Sequence, residues 1–523
     1  MIYRSPFPDV DIPEVPLHDY VLEHADRWPD KPALIDGPTD RTITYEQLRA
    51  AARGIAAGLA ARGFVKGDVL AIYSPNLPEY ALAFFGVSMA GGTNTTINPL
   101  YTAPELRRQL DDSGAKFLVT IPQFLDKART AVEGTAVEEI FVFGEADGAT
   151  PFASMLVQDA PPTVAIDPTE DLVALPYSSG TTGLPKGVML SHHNLVSNIA
   201  QTDAVERLTE KEVLIGIIPF YHIYGMVVLM GGALRVGATI VTMPRFELEQ
   251  FLGLVPKHGV TMGYIVPPIV LALAKHPSVD NYDLSTITNV LSGAAPLPES
   301  VARACAERNG FLVRQGYGLT ETSPVTHFNP RDREIKVKSV GPAAPNTIYR
   351  IVDVGTGEDA PTGELGEVWV QGPQVMKGYL HNPDATKAMI DDDGWLHTGD
   401  IGYADADGYL YVVDRVKELI KYKGQQVAPA ELEAVVQSHP AVADAAVIPS
   451  PDLEAGEVPK AFVVVKPGTD PSADDIMAHV AERVAPHKKV RRVEFIDAIP
   501  RVPSGKILRR QLVERERKTT TGQ

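Results

Sequence analysis

Residues 177–188 read Tyr-Ser-Ser-Gly-Thr-Thr-Gly-Leu-Pro-Lys-Gly-Val, and no other stretch limits the fold as tightly. Apolar segments flank it at 173–175 and 188–190, which predicts two hairpin strands joined by a polar loop. Glycines such as Gly180 and Gly183 let backbone N–H groups approach an anion closely and tolerate positive φ. The hydroxyls of Ser178, Ser179, Thr181 and Thr182 add donors, and Lys186 adds a mobile cation. Together these make a phosphate cradle. It is not a Walker A loop, because Lys186 is followed by Gly187 and not by Ser or Thr. A flexible surface turn is the competing reading, and the apolar flanks speak against it.

A chain of 523 residues is too long for one core, so at least two domains are expected. With 44% hydrophobic and 22% charged residues, a largely disordered chain is excluded. The net charge of -18 gives no global reason to bind nucleic acid or an anionic membrane, so any anion has to be met by local cations. Cys305 is the single cysteine, in a helical pattern over 299–308, and reads as an inert buried thiol. Residues 1–8 lack a basic-then-apolar leader pattern and the ending Thr521-Gly522-Gln523 is no peroxisomal address, so a cytoplasmic enzyme is expected. Residues 213–234 are uncharged and long enough to suggest a membrane helix, but Pro219, His222 and several glycines interrupt them. A strand, a loop and a buried helix fit better, and no membrane span is expected.

Strand and helix patterns alternate along the chain. A helix capped by Thr44 carries an alanine-rich face over 48–61, a strand covers 69–74, a helix 78–90, and short strands 116–120 and 140–143. The alternation returns with strands at 213–218, 239–243, 264–266 and 289–292. This predicts an α/β fold with mostly parallel sheets covered on both faces. From 340 to 380, short strands between Gly and Pro turns predict a small barrel or distorted sheet. Residues 429–495 then read as a compact α+β unit, and the domain junction is placed at Lys417, dividing 1–416 from 417–523.

Further motifs stand at the carboxyl ends of these strands, where open α/β sheets bind ligands. Pro219-Phe220-Tyr221-His222-Ile223-Tyr224-Gly225 is aromatic, and Ser292-Gly293-Ala294-Ala295-Pro296 is small enough for a flat ring to press on backbone. In Gln315-Gly316-Tyr317-Gly318-Leu319-Thr320-Glu321-Thr322, an aromatic between glycines can stack on a purine, and Glu321 offers hard oxygens suited to Mg²⁺. Trp395-Leu396-His397-Thr398-Gly399-Asp400 supplies a carboxylate able to take two ribose hydroxyls. Pro500-Arg501-Val502-Pro503-Ser504-Gly505-Lys506 sets one lysine on a turn that can project it into a cleft. Singly, most of these read as core aromatics, plain turns or a solvated basic tail.

In this order, the motifs resemble those of the adenylate-forming superfamily of acyl-CoA synthetases, luciferases and peptide-synthetase adenylation domains, and most of all 4-coumarate–CoA ligases. The resemblance implies a large N-terminal domain and a small mobile C-terminal lid. It implies ATP, Mg²⁺, coenzyme A and a small carboxylic acid as reactants, and an acyl-adenylate intermediate. By position it implies that Lys506, His222, Thr320 and Glu321 are catalytic, with Glu321 on the metal. Ser178, Ser179, Gly180, Thr181, Thr182, Gly183, Lys186, Gly293, Ala294, Gln315, Gly316, Tyr317, Asp400, Arg415, Lys421 and Gln426 would then bind the nucleotide. Arg245, Lys423 and Gly424 match positions that meet CoA, and Lys417 matches the hinge. Tyr224, Met226, Gly263, Tyr264, Gly316, Gly318 and Val325 match the acyl pocket. Two stretches depart from the plant pattern: Gly366-Glu367-Val368-Trp369-Val370-Gln371-Gly372 has Trp369 in a segment where the plant enzymes carry Cys, and Gly225-Met226-Val227-Val228 is more apolar. A medium- or long-chain fatty acid is therefore the alternative substrate. An enzyme loading a carrier protein, a luciferase-like oxygenase and a non-catalytic nucleotide-binding protein share the motifs. Amino-acid substrates are disfavoured because Phe220-Tyr221-His222 lacks the amine-binding Asp.

Overall fold

Thr44 sets the first long helix: its side chain accepts from the Gln47 N–H while Gln47 returns a bond to the Thr44 N–H. The resulting helix, Tyr45–Ala61, buries Leu48, Ala52, Ile55 and Leu59. The computed structural model describes residues 1–178, 185–333, 335–415, 418–422, 425–452, 455–484, 486–501 and 505–521.

Two sheets share the main core. The first runs, in spatial order, Val325–Phe328, Leu312–Gly318, Asn289–Ser292, Met262–Ile265, Val213–Gly216, Thr239–Thr242, Pro32–Asp36 and Thr42–Thr44. Its inner pairs are parallel and both edge pairs antiparallel. The second joins the parallel strands Thr93–Thr96, Val69–Tyr73, Phe117–Thr120 and Glu139–Val142, through strand Leu172–Ala174, to the antiparallel hairpin of Tyr177–Ser178 and Lys186–Ser191. Helix His192–Glu206 leaves that hairpin under a capping box of Ser191 and Asn194 and is buried along most of its length. One apolar cluster, including Leu34, Leu70, Leu190, Val196, Ile240 and Val290, joins both sheets.

The region read as a small barrel or distorted sheet is a five-stranded antiparallel sheet: Ile2–Arg4, Ile348–Val352, Gly366–Gln371, Leu396–Ala404 and Leu410–Arg415. Its first edge strand comes from the chain's start, which the sequence reading left unassigned. Beyond Leu419 the chain builds a further sheet from Ile420–Tyr422, Gln425–Val427, Val442–Asp452, Gly456–Val465 and Arg492–Phe495. Helices Pro429–Gln437, Ala473–Ala481 and Arg509–Thr521 accompany it, over a separate core that includes Ile420, Leu432, Val447 and Val463. The uncharged stretch at 213–234 divides into strand Val213–Gly216, a buried π-helix Tyr224–Gly231 and helix Gly232–Arg235. No helix among the described residues is long and apolar enough to cross a membrane.

Candidate active site

On either side of the candidate cradle, Tyr177 pairs with Gly187 and Ser178 with Lys186 in antiparallel strands. The Tyr177 hydroxyl donates to Asp112 Oδ2 at 2.6 Å and anchors the first strand. Ser179, Gly180, Thr181, Thr182 and Gly183 lie outside the described residues. Lys186 sits with its ammonium 4.8 Å from the Tyr379 ring centroid. Tyr379 in turn donates to Glu321 Oε1 at 2.8 Å. The cradle lysine and the candidate metal carboxylate thus share one aromatic bridge. Glu321 is buried, and among the described residues no group of three or more His, Cys, Asp or Glu could hold a metal unaided. One carboxylate completed by phosphate oxygens and water is how Mg²⁺ is commonly held, so Glu321 fits that ion.

A second cluster forms where Asp400 and Arg415 face each other across paired strands. Asp400 Oδ1 lies 3.0 Å from Arg415 Nε, and the Tyr317 hydroxyl donates to Asp400 Oδ2 at 2.6 Å. Burial pushes the Asp400 carboxyl up from its ordinary value, and Arg415 opposes that shift. Gly316 and Gly318 flank Tyr317 on the strand Leu312–Gly318. A Cβ at Gly318 would stand 1.9 Å from the Pro324 carbonyl oxygen, so no larger residue fits there. Gln315 Oε1 accepts from the Leu297 N–H at 3.3 Å, tying this strand to the small-residue motif. Ala294 holds φ at +69°, a left-handed conformation that costs a non-glycine residue about 1–3 kcal/mol. Thr320 opens the short helix Thr320–Thr322 beside Glu321.

The pocket candidates gather below. The Tyr224 hydroxyl donates to the Leu291 carbonyl at 2.8 Å, and its ring meets Tyr264 edge-on at 5.8 Å. Gly293 leaves room for that ring, since a Cβ there would stand 3.3 Å from it. Met226 lies on the π-helix, Gly263 beside Tyr264, and Val325 is held at both backbone groups by Asn198. His222 faces Lys506. Burial and that cation depress the imidazole to about 4, so it is neutral at physiological pH.

Lys506 itself reaches the cluster from the far end of the chain. Burial, and then Arg415, lower its ammonium to about 8, while Glu418 and Asp400 pull the other way. Its turn is held by Arg501, which donates to the Gly505 carbonyl at 2.8 Å and pairs with Asp444. Gly505 takes φ +84° with Pro268 so close that a Cβ would stand 2.7 Å from it. Arg245 lies apart, 82% exposed and paired with Glu247 at 2.9 Å. Lys417, Lys423 and Gly424, and the side chains of Lys421 and Gln426, lie outside those described. Sequence reasoning missed Tyr379, Asp112 and Asp444, which carry no local motif and reach the site only through distant pairings, and gave no role to Glu418, three residues beyond Arg415.

The family described as AMP-binding enzyme matches residues 21–380, and its C-terminal domain matches 431–506. The chain belongs to the AMP-binding enzyme family. Within this family it is 45% identical to 4-coumarate–CoA ligase 5 of Oryza sativa subsp. japonica, over 98% of this chain and 96% of the relative. It is 44% identical to 4-coumarate–CoA ligase 1 of Solanum tuberosum with the same coverage. Among solved structures it is similar to ATP-bound MatB from Rhodopseudomonas palustris, with a TM-score of 0.89 at 31% identity over 96% of this chain and 99% of that one. It is also similar to the anthranilate CoA ligase AuaEII in complex with anthranoyl-AMP, with a TM-score of 0.89 at 27% identity over 97% and 98%. The AMP-binding enzyme described here is thus an AMP-forming acid–thiol ligase that uses ATP, Mg²⁺ and coenzyme A.

Proposed function

We propose that this ligase takes a cinnamate-type aryl acid and works in two half-reactions. A carboxylate resists nucleophiles because its charge is delocalised and its leaving group poor. Joining it to AMP removes both faults. In the first step a carboxylate oxygen bonds to the α-phosphorus of ATP as the bond to pyrophosphate breaks. In the second, the CoA sulfur bonds to the carbonyl carbon, AMP leaves and the thiol proton is lost. The observation that carries this reading is the Tyr317–Asp400–Arg415 cluster, with Lys506 near enough for its charge to act on Asp400 and His222. Asp400 would take the ribose hydroxyls with Arg415 beside it, and Tyr317 would stack on adenine. The cradle with Lys186 would hold the β- and γ-phosphates, and Lys506 would bridge carboxylate and α-phosphate. Glu321 would hold Mg²⁺, which supplies charge neutralisation on the phosphates. Such transfer depends mostly on positioning and charge stabilisation.

Relatives' names and the aromatic floor of Tyr224 and Tyr264 support the aryl acid. The fully buried apolar π-helix carrying Met226 is the feature that favours a fatty acid instead. A panel of cinnamates and medium- to long-chain fatty acids, scored by the mass of the CoA thioester, tests this. Cinnamates are expected to give the highest kcat/KM, and preference for a fatty acid refutes the aryl assignment. The single buried cysteine supports a cytoplasmic setting.

For the thiol to reach the carbonyl, the Lys506 turn has to leave, which the reading assigns to rotation of the C-terminal unit about Lys417. The surface with Lys423 and Gly424 would then face the CoA arm, and Arg245 its phosphates. Proline at 417 fixes φ near -65°. Lys417→Pro is therefore expected to slow thioester formation far more than adenylation, measured separately. An unchanged ratio of the two rates counts against a hinge at this position.

A further inference from the structure

Asp414 has no part in the chemistry above, yet it is 7% exposed and both its oxygens are engaged. Oδ1 accepts from the Arg415 N–H at 2.8 Å, and Oδ2 accepts from the Ala430 N–H at 2.8 Å. Asp414 lies on strand Leu410–Arg415 of the N-terminal body. Ala430 lies in the first turn of helix Pro429–Gln437, on the other side of position 417. That helix has no side-chain cap of its own: Ala428 precedes it, and Pro429 has no N–H to offer. The first N–H groups of a helix need acceptors, and a carboxylate also suits the positive end of the helix dipole. Asp414 meets that need from across the junction. Around it, Val413 packs on Ile401, Leu419 and Ala428. In the same arrangement Lys506 is near enough for its charge to act on Asp400 and His222.

We propose that Asp414 is a positioning residue, a clasp that holds the Pro429–Gln437 helix to the N-terminal body while Lys506 is in the cleft and that has to open before the thiol arrives. The proposal rests on the two-step reading above. The charged groups facing Asp414 are Arg509, itself held by Glu418 at 2.7 Å and by Glu433 at 2.7 and 2.8 Å, and Glu433. Burial pushes the Asp414 carboxyl up to about 7, with Arg509 and the two N–H donors opposing and Glu433 adding to it. A carboxyl freed by rotation returns towards its ordinary value of 3.8. Between these values the clasped form binds more protons, so rising pH weakens the clasp across that window and no further above it.

Two substitutions then separate the acceptor from the charge. Asp414→Ala removes the acceptor and leaves two buried N–H groups unpaired in the clasped form. It is expected to lower acid-dependent ATP–pyrophosphate exchange about tenfold, within the range of lost helix caps, with thioester formation from supplied acyl-AMP unchanged. Asp414→Asn keeps one acceptor oxygen, able to hold the Ala430 N–H with no charge to desolvate, while its NH₂ cannot accept from the Arg415 N–H. It is expected to keep more of the exchange than Asp414→Ala does, and to flatten the change in the ratio of the two rates between about pH 5 and pH 7. Parallel loss of both half-reactions in Asp414→Ala, or no change in either, overturns the clasp. Should Asp414→Ala fail to fold, Asp414→Asn decides: a ratio and pH profile like those of the unmodified protein overturn it. An unmodified protein with no acid-dependent exchange defeats the two-step reading and the clasp with it, whereas normal exchange with indifferent Asp414 variants defeats the clasp alone.

Discussion

Lys506→Ala is expected to lower acid-dependent ATP–pyrophosphate exchange by ~10²–10³, the effect of removing one donor aimed at developing charge, about 2.7–4 kcal/mol. Thioester formation from supplied acyl-AMP is expected to stay near that of the unmodified protein, because in the proposed two-step reading the lysine has withdrawn before the thiol step. Equal loss of both half-reactions refutes the role. The pH dependence supplies a second check with a definite sign. Burial beside Arg415 holds the ammonium at about 8, below its ordinary 10.5. The cation is thus present below that value and is lost as pH rises through it. For the adenylation half-reaction, kcat/KM reports groups of the free enzyme, so it is expected to fall on the alkaline side of about pH 8. In Lys506→Ala that alkaline limb should disappear. His222, depressed to about 4, contributes no limb in this range.

Much of the site was legible because its parts are short and local. The Gly/Ser/Thr composition alone points to a candidate cradle, and Tyr177 and Lys186 land on the paired strands beside it. The Tyr317 and Asp400 motifs each show an aromatic or an acid on a turn, and the fold joins them with a 2.6 Å hydrogen bond across 83 residues. The parts that escaped are those fixed by distant partners. Pro32–Asp36 pairs with Thr239–Thr242, and Ile2–Arg4 with Ile348–Val352, with nothing in either segment to name its partner. Tyr379 reaches Lys186 and Glu321 only because Gly378–Tyr379 pairs with Lys186–Ser191. Asp414 sits in a run of charges that reads as a solvated strand end, and only the packing of helix Pro429–Gln437 shows it buried. Local chemistry thus names the groups proposed to touch substrate. Those that hold them in place depend on tertiary pairing.

The same division governs stability beneath the pocket. Arg314 immediately precedes the Gln315–Glu321 motif and is fully buried, with its guanidinium on both oxygens of Glu206 at 2.6 and 2.8 Å. It also donates to Asn289 Oδ1 at 2.6 Å and to the Asn329 carbonyl at 2.8 Å, while Arg331 approaches Glu206 at 3.5 Å. Helix His192–Glu206 is thereby tied to the strand that presents Tyr317. Glu206→Gln leaves that buried guanidinium without its counter-charge. Breaking one side of a buried pair typically costs about 3–5 kcal/mol, and a loss of that size is expected here as a lower urea midpoint at unchanged slope. The double variant Glu206→Leu with Arg314→Met is expected to recover part of the loss, because no uncompensated charge remains at either position. Recovery is incomplete, since Asn289 and the Asn329 carbonyl lose their donor. A single variant as stable as the unmodified protein would mean that Asn289 and Asn329 alone satisfy Arg314, and that the ion pair does not hold the motif strand to its helix.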